Sequence, residues 1–127
     1  MGETILDASA LLALLQGERG GDRVAEVLPD AAISAVNAAE VVTRLLLSGL
    51  SSQKAIELVS SLPCRIVSVD AELGFRSAAL AAQTARGGLS LGDRVCLALA
   101  EREAKPVLTA DRVWAELGLA IDIRLIR

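Results

Sequence analysis

The chain has 127 residues, of which 53% are hydrophobic and 23% charged, with a formal net charge of −3 at pH 7. This length and apolar fraction predict one compact domain and exclude a disordered chain. Histidine is absent, cysteines number two, and aromatic residues make up 2% of the chain. These counts exclude His-based catalytic triads, four-thiolate zinc sites and aromatic platforms for single-stranded nucleic acid.

The charge pattern also bears on partners and compartment. An acidic net charge argues against broad attraction to a phosphate backbone, so any nucleic-acid contact has to depend on local charge. The first seven residues carry two acids where a signal peptide has a basic region, and no uncharged apolar stretch approaches the roughly 20 residues of a membrane span. We therefore expect a cytoplasmic protein with free thiols at Cys64 and Cys96 and no membrane partner.

Short apolar runs alternate along the chain with longer segments of helical spacing. The runs predict strands at residues 4–6, 31–34, 65–69, 106–108 and 121–126. The longer segments predict helices at residues 9–16, 22–28, 36–48, 52–62, 71–85, 91–103 and 111–117. This alternation predicts an α/β fold with a central, mostly parallel sheet of four to five strands and helices on both faces, in a single domain spanning residues 1–127.

Three aspartates directly follow predicted strands: Asp7, Asp70 and Asp111. Ligands of open parallel sheets bind beyond the carboxyl ends of the strands, so these positions are candidates for a functional site. Aspartate is also a favoured helix N-cap, where its carboxylate accepts hydrogen bonds from free backbone amides. Position alone leaves both interpretations open for each of the three.

Asp93 stands near the start of a predicted helix and precedes Cys96 and Ala100 by one and two turns, which places it on the apolar face. An unpaired charge there would cost several kcal/mol, so the carboxylate needs a compensating partner. A capping box with Ser90 is one candidate partner, and a metal ion or a basic residue is the other.

Glu40 lies at the edge of the apolar stripe of the predicted helix 36–48, whose solvated face is marked by Asn37, Arg44 and Ser48. A surface ion pair with Arg44 at i,i+4 is the simplest explanation of this glutamate. The other explanation places Glu40 with Asp7, Asp93 and Asp111 at one crevice. Four carboxylates in one place repel each other unless they are protonated or bridged by a hard cation such as Mg²⁺ or Mn²⁺. Such a site can activate water against a phosphodiester without histidine.

Four segments of the sequence resemble the PIN-domain ribonucleases, and in particular the VapC-type toxins of bacterial type II toxin–antitoxin pairs. They are Ile-Leu-Asp-Ala-Ser-Ala-Leu-Leu-Ala-Leu-Leu at 5–15, Ile-Ser-Ala-Val-Asn-Ala-Ala-Glu-Val at 33–41, Leu-Ser-Leu-Gly-Asp-Arg at 89–94 and Val-Leu-Thr-Ala-Asp-Arg at 107–112. Each segment alone is weak, but together, in this order, they cover nearly the whole chain.

The resemblance implies a PIN-like domain that acts as a metal-dependent endoribonuclease on tRNA, rRNA or mRNA. It implies Mg²⁺ or Mn²⁺ as the cofactor and the family's four acids at Asp7, Glu40, Asp93 and Asp111, and it treats Asp70 as a helix cap. Further assignments are supporting hydroxyls at Ser9 and Thr109, and possible contacts to substrate phosphate from Arg94 and Arg112. The implied partners are a small cognate antitoxin and a second copy of the chain, as a homodimer or a toxin–antitoxin hetero-oligomer.

Two other readings compete with the nuclease. A Mg²⁺-binding receiver-like signalling domain would use Asp70 as the phosphoacceptor, but Asp7 lacks the neighbouring acid that such a domain needs, and Lys105-Pro106 precedes its strand instead of following it. A catalytically silent interaction module of the same fold predicts the loss of at least one of the four acids, and all four are present.

Overall fold

The computed structural model describes residues 2–127 and consists of an α/β sandwich around a five-stranded sheet. The strands are β1 (Thr4–Leu6), β2 (Ala31–Ser34), β3 (Arg65–Val67), β4 (Val107–Thr109) and β5 (Ile123–Leu125). The α-helices of the described residues are α1 (Ala8–Leu15), α2 (Gly21–Val27), α3 (Ala35–Leu47), α4 (Ser52–Ser60), α5 (Ala71–Ala79), α6 (Ala81–Thr84) and α7 (Leu91–Glu103). Short 3₁₀ helices occupy Leu28–Asp30, Ala85–Gly87 and Arg112–Glu116.

All strand pairs are parallel, and the strands lie in the order β3-β2-β1-β4-β5. The chain winds outward from β1 through β2 to β3, and then returns to place β4 on the other side of β1. The order therefore reverses between β1 and β4, which is the point where open parallel sheets form a crevice at their carboxyl edge. The predicted parallel α/β fold is confirmed.

Alternation along the central strands divides the core between the two faces of the sheet. Leu6 and Ile33 point into one cluster with α1 to α4, whereas Ile5 and Ala32 point into the other with α5 and α7. Trp114, from the 3₁₀ helix after β4, is 1% exposed and belongs to the second cluster. None of the helices among residues 2–127 is long and apolar enough to cross a membrane.

Some predicted boundaries were wrong. The predicted helix 71–85 breaks after Ala79 into α5, α6 and a 3₁₀ turn, although no glycine or proline marks the break. The predicted helix 111–117 is a five-residue 3₁₀ helix, the form that short helical connectors commonly adopt. The predicted strand 65–69 ends at Val67, where its pairing with Ser34 of β2 ends.

The apolar residues of α3 and α4 divide between core and surface. Leu45 and Val59 are buried in the core. Leu47 and Ile56 are 79% and 53% exposed, and Leu46 is also exposed.

Candidate metal centre

A pocket of about 420 Å³ opens at the carboxyl edge of the sheet, where the neighbouring strands β1 and β4 end. Its lining consists of Asp7, Ala8, Ser9, Leu12, Glu40, Thr43, Arg44, Asp93 and Asp111. The four predicted acids thus line one pocket, although they come from the end of β1, from α3, from α7 and from the segment after β4. The pocket brings together four carboxylates and one guanidinium.

Asp7 is the most enclosed of the four acids, since only 3% of its surface is exposed. It is also the N-cap of α1, where its Oδ1 accepts a 2.8 Å hydrogen bond from the backbone amide of Ala10. Burial raises the pKa of this carboxyl from 3.8 to about 6, while hydrogen bonds from Thr109, Ala10 and Ser9 lower it and the charge of Asp93 raises it further. A nearby cation would favour the ionised form of the Asp7 carboxyl, because opposite charges attract.

Two hydroxyl groups fix Asp7 and join it to the segment after β4. The Thr109 hydroxyl donates to Asp7 Oδ2 over 2.6 Å and accepts from the Asp111 amide over 3.0 Å. The Ser9 hydroxyl lies 2.8 and 2.9 Å from the two Asp7 oxygens and accepts from the Ala110 amide over 2.9 Å. Ser9 and Thr109 therefore orient the Asp7 carboxylate and hold the end of β4 against it.

Asp111 caps the 3₁₀ helix after β4, where its Oδ1 accepts from the Val113 amide over 3.1 Å. Its side chain is exposed at the rim of the pocket. The capping and pocket-lining interpretations, which the sequence left as alternatives, both describe this aspartate, as they do Asp7.

Asp93 likewise both caps a helix and lines the pocket. It forms a capping box with Ser90: its amide donates to the Ser90 hydroxyl over 3.2 Å, and its Oδ2 accepts from the Ser90 amide over 3.0 Å. Among the side-chain hydrogen bonds of residues 2–127, only Oδ2 of this carboxylate is used, which leaves Oδ1 of this pocket-lining residue without a donor. The capping box thus orients Asp93 without consuming its capacity to bind a ligand.

Glu40 does not form the surface ion pair with Arg44 that its spacing allowed, since no ion pair within the described chain joins these two side chains. Its Oε1 accepts instead from the side-chain amide of Asn37 over 2.7 Å. The assignment of Asn37 to the solvated face of this helix was wrong, because Asn37 is 1% exposed and lies beneath α7.

The buried thiol of Cys96 lies within the electrostatic reach of three of the acids. Burial is the largest cause of its raised pKa, followed by the charges of Asp7, Asp93 and Glu40. The fields of these three carboxylates therefore overlap at one buried position on α7.

Arg94 and Arg112, which were predicted as possible contacts to substrate phosphate, lie outside the pocket lining. Arg94 donates to the backbone carbonyls of Ser77 and Leu89 over 3.2 and 3.3 Å, and Arg112 donates to the carbonyl of Arg127 over 2.7 Å. Neither arginine is part of the pocket lining, whose cation is Arg44.

Asp70 also lies outside the pocket lining. It is the N-cap of α5 and accepts from the Leu73 amide over 2.9 Å, as the resemblance implied. β3, the strand that precedes it, is an edge strand and not a neighbour of β1. A receiver-like arrangement around Asp70 therefore finds no support in the geometry.

The donor set fits a hard divalent cation. Carboxylate oxygens are the ligands that Mg²⁺ and Mn²⁺ prefer, and the pocket offers four such groups. Among residues 2–127, however, no three acidic or cysteine side chains are close enough to form a preassembled metal cluster. Mg²⁺ is usually bound by one or two carboxylates together with waters and substrate phosphates, so an open acidic pocket suits it better than a closed cage.

Sheet order and pocket together define a parallel α/β protein with a carboxylate site at the switch point of its sheet. The PIN domain family profile matches residues 4–119, so the chain belongs to the PIN domain family. The predicted family membership is confirmed. Among curated protein sequences, none matches the chain significantly.

Solved structures share this fold at low sequence identity. A toxin–antitoxin complex from Klebsiella pneumoniae has a chain that is 22% identical, with a TM-score of 0.76 and coverage of 98% of each chain. The sarcin-ricin loop cleaving toxin VapC20 of Mycobacterium tuberculosis is 18% identical, with a TM-score of 0.75 over 92% of this chain and 96% of that one. A chain of DNA-bound VapBC from Salmonella typhimurium is 16% identical, with a TM-score of 0.74 and coverage of 100% of each chain.

Proposed function

We propose that this chain is a metal-dependent endoribonuclease of the VapC-like toxin type, which hydrolyses RNA phosphodiester bonds with Mg²⁺ or Mn²⁺. One observation carries the proposal: four carboxylates from separate elements line a single pocket at the switch point of the sheet. Membership of the PIN domain family and fold similarity to VapC and VapBC proteins support it.

Asp7, Glu40, Asp93 and Asp111 would hold the cation, which, when bound, activates water as a nucleophile and neutralises charge on the phosphodiester. Asp7 is kept in one orientation by Ser9 and Thr109, so little reorganisation accompanies binding. Asp93 presents its free Oδ1 from a capped helix start. The half-buried Glu40 closes the α3 side of the pocket, and the exposed Asp111 lies at its rim.

The substrate is RNA, in the form of tRNA, rRNA or mRNA. Its phosphates need positive charge near an otherwise acidic pocket, and Arg44 supplies it. This guanidinium is exposed, lines the pocket and is free of ion pairs to the acids of the described residues. Because Arg44 follows Glu40 by one helical turn, it reaches a phosphate on the same face of α3.

The proposed partner is a small cognate antitoxin, with the toxin present as a homodimer or in a toxin–antitoxin hetero-oligomer. A structural relative of this chain is part of a toxin–antitoxin complex. A basic side chain of such a partner would compete with the cation for the four carboxylates on Coulombic grounds. Inhibition that survives removal of every basic side chain from the antitoxin's docking segment would contradict this route.

The purified chain should cleave RNA in the presence of Mg²⁺ or Mn²⁺ and should lose this activity on addition of excess EDTA. Restoring the divalent ion should restore cleavage, because an open pocket lets the ion leave and return. A gel assay on total tRNA, rRNA and mRNA measures this directly. A silent interaction module predicts no cleavage under any of these conditions, and cleavage that persists in EDTA would contradict the proposed mechanism.

Arg44→Ala should weaken binding of RNA and reduce the slope of log affinity against log salt by about 0.7 to 0.9, the share of one phosphate contact. The matched control is Arg112→Ala, which removes the same charge from a guanidinium outside the pocket lining. Fluorescence anisotropy with labelled RNA in Ca²⁺, over a range of KCl concentrations, gives both slopes. A reduced slope for Arg112→Ala together with an unchanged slope for Arg44→Ala would show that Arg112, and not Arg44, contacts the phosphate.

A further inference from the structure

The first turn of α7 contacts the first two turns of α3, next to residues that line the pocket. At this contact the side-chain amide of Asn37 donates two hydrogen bonds, one to Glu40 Oε1 over 2.7 Å and one to the Gly92 carbonyl over 3.1 Å. Asn37 thereby joins a candidate ligand on α3 to the residue that precedes another candidate ligand, Asp93. Asn37 is 1% exposed, so its side-chain amide is shielded from competing water.

Gly92 faces the same carboxylate from α7. A Cβ atom at this position would lie 2.7 and 2.9 Å from the Glu40 carboxylate oxygens and 3.0 Å from its Cδ. Real Cβ atoms essentially never approach other atoms this closely. The absence of a side chain at Gly92 therefore provides the space that the Glu40 carboxylate occupies.

Neither residue is explained by local stability. Gly92 has no positive φ, so its backbone does not need glycine, and glycine within a helix is less stable than alanine. The Oδ1 atom of Asn37 is buried without a hydrogen-bond partner among the described residues, which is unfavourable. Asn37 and Gly92 are thus both unfavourable for local stability, and both lie against the Glu40 carboxylate.

We propose that Asn37 and Gly92 are positioning residues that hold the Glu40 carboxylate beside Asp93 in the orientation that binds the divalent cation. This inference rests on the proposed function and extends it to two residues outside the pocket lining. Asn37 fixes Oε1 by donating to it, and Gly92 lets the carboxylate approach the start of α7. Neither residue touches the cation itself.

A purely structural bridge between α3 and α7 makes a different prediction. If Asn37 and Gly92 only fasten the two helices, their replacement lowers stability, and any change in cation affinity is the same whether or not the Glu40 carboxylate is present. If they act through Glu40, their effect on affinity disappears once the Glu40 carboxylate is removed. Double-mutant cycles on cation affinity separate these two cases.

The test is the Mn²⁺ dissociation constant, measured by electron paramagnetic resonance on the metal-free chain. Asn37→Leu and Gly92→Ala should each weaken Mn²⁺ binding by about 10- to 100-fold, as is typical for residues that orient metal ligands. In the Glu40→Gln background the same substitutions should change the constant less than about twofold. Gly92→Ala should remain folded, because the side chain it displaces is the flexible end of Glu40.

Gly74→Ala is the matched control. Gly74 also lies inside a helix, without positive φ, but an added Cβ would have no heavy atom within 4 Å. Its substitution should leave Mn²⁺ affinity unchanged.

Three results would overturn the inference. Wild-type affinity in both Asn37→Leu and Gly92→Ala, together with lost binding in Asp93→Asn, would refute the positioning role and leave the proposed function standing. Equal losses with and without the Glu40 carboxylate would assign the two residues a purely structural role. Absence of both Mn²⁺ binding and metal-dependent RNA cleavage in the wild-type chain would refute the proposed function and the inference with it.

Discussion

Asp93→Asn should lower metal-dependent RNA cleavage by about 10²- to 10³-fold, the scale of losing one electrostatic stabiliser from an active site. The substitution removes a charge from the pocket but preserves the oxygen that accepts from the Ser90 amide, so the start of α7 should stay capped. Single-turnover cleavage rates at saturating Mn²⁺, with thermal unfolding as the folding check, measure the effect.

Asp70→Asn provides the control for the same chemical change. Asp70 also caps a helix after a strand, but its carboxylate lies outside the pocket lining. We expect wild-type cleavage from Asp70→Asn, and resistance of the wild-type chain to modification by acetyl phosphate. Equal losses in the Asp70 and Asp93 variants would mean that cleavage does not depend on the four-carboxylate pocket.

Asp7→Asn should stabilise the metal-free chain at neutral pH while abolishing its stabilisation by Mn²⁺. Burial raises the pKa of Asp7 from 3.8 to about 6. Below pH 3.8 the carboxyl is protonated in both states. As the pH rises from about 4 to 6 the unfolded chain ionises first, so the native state loses stability, and above pH 6 the loss is complete. The shift corresponds to at most about 3 kcal/mol.

Urea unfolding in EDTA between pH 4 and 8 measures this effect. The difference in unfolding free energy between Asp7→Asn and wild type should grow from about pH 4 to pH 6, stay constant above that, and reach about 1–3 kcal/mol at pH 7.5. Excess Mn²⁺ should stabilise the wild-type chain and leave the variant unaffected, because a ligand stabilises only the state that binds it. A difference that is flat with pH, or a variant that is less stable at pH 7.5, would contradict the burial of an ionised Asp7.

The sequence predicted the candidate site best where an acidic residue directly follows a predicted strand. Asp7 and Asp111 follow short apolar strands, and a parallel sheet brings the carboxyl ends of its strands to one edge, so their shared location could be expected. Capping and pocket-lining were treated as alternatives for these acids. A carboxylate has two oxygens, and in Asp93 one of them caps the helix while the other accepts no hydrogen bond within the described residues, so a capping aspartate can also line the pocket.

Asn37 shows what helical periodicity cannot reveal. It lies seven residues before Arg44, so both side chains occupy the same face of α3, and that face was interpreted as solvated. The face is covered by α7 at Asn37 and opens to solvent at Arg44. Where a second helix crosses is a tertiary property that one helix's pattern does not encode. A glycine in the first turn of a predicted helix, directly before Asp93, was the available signal of a close approach there.

The break between α5 and α6 has a similar origin. The segment that follows Ala79 is rich in alanine, the strongest helix former, so local propensity continues the helix. Leu80 instead enters the core, and the Thr84 hydroxyl donates to its carbonyl over 2.8 Å. Tertiary packing therefore overrides propensity at this position.

Anomalous diffraction from crystals equilibrated with Mn²⁺ tests the central claim most directly. We expect one or two Mn²⁺ peaks in the pocket, with Asp7 and Asp93 oxygens among the ligands at about 2.0–2.2 Å, and no peak at Asp70. Weak or absent density in the pocket at saturating Mn²⁺, or a peak at other acids with the pocket empty, would contradict the account.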